Sequence, residues 1–118
     1  MTNPIKAYVI DPFTWTVTEV QRPSGGRSNG GSLREIYDLI ACDCVTAVYP
    51  ENSGSDALYV DDNGLDRADQ AYFFCTLYPH QPLAGKGLWV GSTPSGNDTS
   101  PEMSIEYVRA HIQWLLTR

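Results

Sequence analysis

Two segments of this chain each consist of a short strand-like run that leads into a polar, glycine-containing corner. They are residues 58–65 (LYVDDNGL) and residues 81–91 (QPLAGKGLWVG). Runs of β-branched and aromatic residues bounded by Asn, Asp and Gly are typical of strands joined by tight turns. Between them, the aromatic run at residues 71–78 (AYFFCTLY) is compatible with a strand or with a short buried helix. This part of the chain therefore predicts a fold rich in short strands.

Further strands are predicted on either side of this region. A β-hairpin is indicated near the start of the chain, where two β-branched runs flank a corner that contains Pro12, and a second is indicated around Pro50. In contrast, residues 22–31 (RPSGGRSNGG) hold too few apolar groups to order themselves by burial, so a flexible loop is expected there. The predicted strands cover residues 5–10, 16–20, 45–49, 57–60 and 87–90.

Two helices are predicted. Ser32 and Glu35 form a capping-box pattern, in which each side chain can bond to the other residue's amide at a helix start. Pro101 or Ser104 can open the second helix. The apolar stripe of the first helix is Leu33, Ile36, Tyr37 and Ile40. The stripe of the second is Ile105, Val108, Ile112 and Leu115, opposite a polar face of Glu106, Arg109 and Gln113.

Strands and helices are mixed here without the regular alternation of a parallel α/β protein. The predicted fold class is therefore α+β, with a largely antiparallel sheet of five to six strands and two helices packed on it. At 118 residues the chain is expected to form a single domain, residues 1–118, that buries about two-thirds of its unfolded surface.

Charge and composition argue against several classes of protein. The formal net charge of -6 argues against binding to a nucleic acid duplex, which requires a basic surface. No segment approaches the ~20 apolar residues of a membrane span, and residues 1–9 lack the apolar core of a signal peptide. The three cysteines, an odd number, do not indicate a disulfide framework. No membrane association is expected, and the predicted location is the cytoplasm.

No zinc site is predicted from the cysteines. Cys42 and Cys44 have a C-x-C spacing, whereas structural zinc sites usually combine two arms of C-x2-4-C or H-x3-5-H type. Cys75 and His80 do not supply such an arm.

A calcium loop is not predicted either, although the run that starts at Asp61 is acidic. Counting Asp61 as position one, the position that requires glutamate is occupied by Tyr72. Asn63 and Gly64 are instead interpreted as a tight turn with a positive φ angle.

No catalytic motif is present. A serine or cysteine nucleophile needs a nearby base, and the two histidines are His80, in a proline-flanked loop, and His111, beside the apolar stripe of the last helix. The glycines around Lys86 lack the remaining residues of a phosphate-binding loop. A protein without enzymatic activity and without a cofactor is predicted.

Flat aromatic rings and cations provide the stronger functional signal. A ring stacked on a base contributes about 1–3 kcal/mol, and arginine binds phosphate through paired hydrogen bonds. The candidate rings are Trp15, Tyr37, Tyr59, Tyr72, Tyr78 and Trp89, most of which are expected to fill the core. The predicted ligand-binding residues are Arg27, Arg34, Tyr78, Lys86 and Trp89. The site is placed near residues 78–89, with residues 22–31 as a lid.

The two strand-and-corner segments, the opening run at residues 6–12 (KAYVIDP) and the proline-led I-E-Y-V-R start of the last helix together resemble a small uncharacterised domain family. This domain of unknown function occurs in bacteriophages, plasmids and other mobile elements. The resemblance covers most of the chain except residues 22–31. It implies a phage or mobile-element origin and, for a phage-encoded protein, the host cytoplasm.

Three functions are weighed on this basis. The first is a phage-type anti-defence protein that binds and sequesters a small nucleotide-derived immune signal, such as a cyclic nucleotide or an ADP-ribose derivative, without catalysis. The alternative is a protein-interaction inhibitor of a host defence or restriction factor, which an acidic surface would suit. The third is a small hydrolase of such a signal. A homo-oligomer is expected, because two-fold dimers are common and so small a chain has little room for a deep pocket of its own.

Overall fold

The computed structural model describes residues 4–27 and 30–115. Its two helices are α1 (Gly30–Ile40) and α2 (Ile105–Ala110), and a single 3-10 turn covers Gly64–Asp66. The strands are β1 (Ile5–Asp11), β2 (Thr16–Arg22), β3 (Val45–Val48), β4 (Ala57–Asp61), β5 (Tyr72–Cys75), β6 (Leu83–Ala84), β7 (Gly87–Ser92), β8 (Asp98–Thr99) and β9 (Ile112–Leu115). None of the helices in the described part of the chain is long and apolar enough to cross a membrane.

The strands form two antiparallel sheets. The main sheet has six strands in the order β2-β1-β7-β4-β3, with the short β8 paired to β7, and the small sheet has the order β6-β5-β9. The α+β class with a largely antiparallel sheet is thereby confirmed. Both predicted hairpins, β1–β2 and β3–β4, are also confirmed.

The main sheet is buried on both faces. Because side chains alternate along a strand, Ala7 and Val9 of β1 face α1 through Ile36 and Ile40. Their neighbours in the same strand join the opposite core, which includes Phe73 of the small sheet. The molecule thus has three layers: α1, the main sheet, and a layer made of the small sheet with α2. That opposite core contains Tyr8, Ile10, Leu58, Val60, Phe73, Trp89 and Val108.

The predicted second helix is correct in its start and wrong in its length. Ser104 is the N-cap, and its hydroxyl accepts a hydrogen bond from the Tyr107 amide at 3.1 Å. The helix ends at Ala110, and Ile112 to Leu115 continue as β9, which pairs with β5. The residues of β9 also alternate, with Gln113 exposed between two partly buried neighbours. The apolar residues have a helical spacing, but pairing with β5 stabilises a strand here instead. No local sequence pattern distinguishes the two outcomes.

The turn predicted at Asn63 is present, but its predicted positive φ angle is wrong. Asn63 has a φ of -106°, and Gly64 has no positive φ and begins the 3-10 turn instead. Glycine is required at position 64 for a different reason: a Cβ there would lie 2.9 Å from the carbonyl oxygen of Ala84. The open alternative for residues 71–78 is decided in favour of a strand, β5.

Candidate functional site

The five residues predicted to bind a ligand do not share one surface. Trp89 is fully buried in the centre of β7, and its indole nitrogen donates to Asp56 Oδ2 at 2.7 Å. The prediction that Trp89 stacks on a ligand is therefore wrong, because it has no exposed face. Tyr78 packs against the core on the small-sheet side, whereas Arg34 lies exposed on α1, on the other side of the main sheet. Lys86 is half-buried between β6 and β7, and Arg27 is exposed.

The loop at residues 22–31, predicted to be a flexible lid, is anchored over the part that the structure describes. Residues 28 and 29 lie outside the described residues. The carbonyl oxygen of Gly26 accepts from the Asp98 amide at 2.8 Å, and a Cβ at Gly26 would meet the Asp98 carbonyl oxygen at 2.5 Å. Arg22, at the start of the loop, ends β2 and is 0% exposed.

Arg22 is the centre of a buried polar network. Its Nε donates to Glu35 at 2.7 Å, its Nη1 to Asp98 at 2.8 Å, and its Nη2 to the Ser32 hydroxyl at 2.9 Å. The hydroxyl of Tyr59 donates to the other oxygen of Asp98 at 2.8 Å. The capping-box interpretation of Ser32 and Glu35 is therefore wrong: α1 begins earlier, at Gly30, and both side chains bind Arg22 instead.

The hydrogen bonds to Glu35 lower its pKa, which predicts that its contribution to the stability of the fold is lost in acid. Burial acts to raise the pKa of Glu35, but hydrogen bonds from the Ser24 hydroxyl and amide, together with Arg22, outweigh burial and hold the pKa below its ordinary value of 4.5. A carboxylate with a lowered pKa stabilises the fold above its unfolded pKa, and that stabilisation is lost as the pH falls through the lowered value. We expect the stability advantage of the parent protein over Glu35→Gln, measured in denaturant melts, to shrink on acidification below about pH 4.5.

An exposed carboxylate on the same helix provides the control for that measurement. Asp38 is exposed and accepts no hydrogen bond from the described residues. The difference between the parent and Asp38→Asn should be small at neutral pH and should change less on acidification. A Glu35→Gln difference that stays constant from neutral pH to pH 3 would contradict the assignment.

A second buried hydrogen-bond network, centred on Asp56, also stabilises the fold. Asp56 is buried and accepts from the Trp89 indole and from the amides of Glu102 and Met103 at 2.8 and 3.1 Å. In the described part of the chain, no buried side-chain nitrogen or oxygen lacks a hydrogen-bond partner. The buried side-chain nitrogens and oxygens of residues 4–27 and 30–115 therefore all serve the fold.

One surface feature that combines aromatic rings with a cation is a cleft of about 400 Å³ between β2 and the α2–β9 segment. Trp15 at the tip of the first hairpin and Trp114 of β9 both border it, and Arg109 from the last turn of α2 lies in its wall. Thr16, Val17 and Thr18 of β2 complete the lining. We call this the tryptophan cleft.

Arg109 is held in position without being neutralised. Its Nε and Nη2 donate to the carbonyl oxygen of Val17 at 3.2 and 2.7 Å. Among residues 4–27 and 30–115, no carboxylate lies within 4.0 Å of its guanidinium. Nη1 is left without a hydrogen bond to those residues, so an oriented positive charge is available to a ligand in the cleft.

Trp15 occupies an unusual backbone conformation for a large side chain. Its φ is 58°, in the left-handed region that favours glycine, and its side chain is 53% exposed. A bulky residue in this region costs about 1–3 kcal/mol, and such strain is found preferentially at functional sites. The exposed indole borders the tryptophan cleft.

Sequence reasoning missed most of this cleft. Trp15 is among the candidate rings, but the predicted long helix places Arg109 on its polar face, and Trp114 is not among the candidates. In a continuous helix, these two residues would point about 140° apart, since each residue turns 100°. The change from helix to strand at Ile112 is what brings both to one surface.

A second hollow, of about 420 Å³, lies on the outer face of α1 and includes the predicted ligand residue Arg34. Tyr37, another candidate ring, is in its wall together with Leu33 and Cys42. Asp38 also lines it and brings a negative charge. It therefore combines a cation with an aromatic ring, but it is less suited to an anion than the tryptophan cleft. We call it the α1 hollow.

The described residues contain no group of three or more His, Cys, Asp or Glu side chains that could hold a metal ion. Asp61 of the acidic run is engaged by Arg67 instead. The nearest approach to a nucleophile and base is Thr76 Oγ1 at 2.8 Å from His111 Nδ1, and among the described residues no carboxylate hydrogen bonds to His111. Burial raises the pKa of the Cys75 thiol, which disfavours the reactive thiolate.

Comparison with known proteins places this architecture in a family. The model of a domain of unknown function, DUF3846, matches residues 5–113. The chain belongs to the DUF3846 family. The match runs from the first residue of β1 to the middle of β9. It therefore includes strands of both sheets and every residue that lines the tryptophan cleft apart from Trp114, which lies one residue after the end of the match. No curated protein and no solved structure matches the chain.

Proposed function

We propose that this DUF3846 protein binds a small, flat, anionic ligand of nucleotide type in the tryptophan cleft and sequesters it without converting it. The observation that carries the proposal is Arg109, which the Val17 carbonyl orients and which has no carboxylate partner among residues 4–27 and 30–115, in a cleft that Trp15 and Trp114 also line. Two flat rings suit a base, and the free edge of the guanidinium suits a phosphate. The volume of about 400 Å³ lies within the range of small-molecule sites.

The proposed biological role is that of a phage-type anti-defence protein that removes a nucleotide-derived immune signal, such as a cyclic nucleotide or an ADP-ribose derivative. Sequestration requires affinity and no turnover. Among the described residues, every buried side-chain nitrogen and oxygen is hydrogen-bonded. This supports binding by a preformed surface, because a rigid site loses little entropy when the ligand docks. One copy of the chain carries the whole cleft, so a site shared between subunits is not needed.

A thermal-shift series with purified protein tests the proposal. Cyclic nucleotides and ADP-ribose derivatives serve as ligands, and one present at a hundred times its Kd should stabilise the fold by about 2.7 kcal/mol. Trp15→Gly should abolish that stabilisation while leaving the unliganded protein as stable as the parent or more stable, because glycine relieves the positive φ. Arg109→Gln should weaken binding as well.

The matched control is Arg34→Gln, which removes the same charge from the α1 hollow and should leave binding unchanged. Recovery of the intact ligand after incubation is also expected. Conversion of the ligand, or a folded Trp15→Gly variant that binds as well as the parent, would overturn the proposal.

The alternative function, inhibition of a host protein by direct contact, is favoured by one observation. Phe13 and Trp15 are both exposed, at 52% and 53%, on the same hairpin tip, and exposed apolar side chains of this size are typical of protein contacts. Phe13 does not line the tryptophan cleft. Phe13→Ala therefore separates the two functions: it should leave small-ligand binding intact, whereas a protein partner would lose affinity.

A further inference from the structure

The two ends of the main sheet differ in how their outer edges are protected. At one end, Arg109 covers part of the β2 edge by donating to the carbonyl oxygen of Val17, and the strand carries the exposed charge of Glu19. At the other end, β3 has the sequence VTAV and carries no charge. Natural proteins usually shield an exposed edge with charges, proline or a covering segment, since an open edge pairs with other strands.

The backbone of β3 is arranged to accept another strand. The Asp62 amide donates to the Cys44 carbonyl oxygen at 2.8 Å, so Cys44 belongs to a hydrogen-bonded pair with β4. Because such pairs alternate along an antiparallel ladder, Thr46 and Val48 direct their backbone groups to β4, and Val45 and Ala47 direct theirs away from it. No strand of residues 4–27 or 30–115 pairs with β3 on that outer side.

Partly exposed apolar side chains lie near both ends of this edge, although the exposed Asp43 separates the strand from those that precede it. Tyr49, the residue after β3, is 68% exposed. Before the strand, Cys42 leads back to the α1 hollow, where Leu33 and Tyr37 are also partly exposed. A stable interface buries more than about 1,000 Å², which a four-residue strand does not provide alone. The adjoining tyrosine and hollow supply the additional surface.

We propose that β3 is the edge through which two copies of this chain associate, by antiparallel pairing of β3 with β3 across a two-fold axis. A two-fold axis places the same edge on both partners, and an uncharged edge is complementary to itself. The net charge of -6 makes two copies repel each other over much of their surface, and the four residues of β3 add no charge to that repulsion. The pairing joins the two main sheets into one and leaves both tryptophan clefts, at the β2 ends, open.

Sedimentation velocity of the full chain over a wide concentration range tests this proposal. The parent should dimerise reversibly, and Thr46→Lys, at an exposed position of β3, should raise the dimer Kd by about tenfold or more, because it brings like charges together at the axis. Gln113→Lys makes the same charge change at an exposed position of β9 and should leave the Kd unchanged or lower it by reducing the net charge. A parent that stays monomeric, or equal Kd values for the two lysine variants, would overturn the proposal.

Amide hydrogen exchange of the parent protein tests the same β3 pairing without any substitution. The amides of Val45 and Ala47 should exchange more slowly at high protein concentration than at low concentration. The amides of Thr46 and Val48, bonded within the chain, should change less. Equal exchange of Val45 and Ala47 at both concentrations would show that any dimer forms elsewhere.

Discussion

Replacing Arg22 with alanine should destabilise the protein by about 3–5 kcal/mol, because the substitution leaves Glu35 and Asp98 without their shared positive partner. Arg22 is 0% exposed, so water cannot replace its hydrogen bonds without opening the structure. Arg22→Lys should not retain this stability, because three nitrogens of the planar guanidinium bind three separate acceptors. The single ammonium of lysine cannot reproduce that geometry. Urea denaturation of the parent and the two variants measures the effect.

Arg34→Ala is the control for that experiment. Arg34 is exposed on α1, and its removal should change the free energy of unfolding by less than about 0.5 kcal/mol. If Arg22→Ala proved as mild as Arg34→Ala, the network would be a surface feature and the description of a buried arginine would be incorrect.

Replacing Trp89 with alanine should also cost about 3–5 kcal/mol, through the cavity left in the core. Trp89→Phe keeps an aromatic six-membered ring, so it leaves a smaller cavity than alanine, and it removes the indole N–H that Asp56 accepts. Its cost should be smaller than that of alanine but measurable, because one oxygen of the buried Asp56 loses a donor.

The same substitution at Trp15 should change the free energy of unfolding much less. Trp15→Ala removes an exposed indole and should alter stability by less than about 1 kcal/mol. Equal losses at the two tryptophans in denaturant melts would contradict the assignment of Trp89 to the core and of Trp15 to the surface.

The elements that the sequence predicts well are those whose signals are local. The hairpin corner at Pro12 and the strand end at Pro50 depend on a few adjacent residues, and both are found in the structure. The stripe on α1 is only partly correct, because Ile36 and Ile40 are buried whereas Leu33 is exposed. The N-cap at Ser104 is likewise a local signal and is correct.

The features that sequence reasoning missed depend on contacts between distant parts of the chain. Arg22 lies next to a proline and several glycines, a neighbourhood typical of a loop, yet it is buried because Asp98, 76 residues later, meets it. Nothing near Ile112 indicates that β5 will pair with it in preference to a continued helix. The tryptophan cleft follows from that pairing, so it could not be assembled from residue types alone.

The position of β7 has a consequence for the order in which the molecule forms. In the main sheet, β7 lies between β1 and β4, and thus between two hairpins that precede it in the chain. Both hairpins are made of neighbouring residues, and local pairings of this kind form faster than those that close long loops. During synthesis both leave the ribosome before Gly87 does, each with an inner edge that has no strand beside it. We therefore expect the two hairpins to remain separate during synthesis until the six residues of β7 emerge and join them into one sheet.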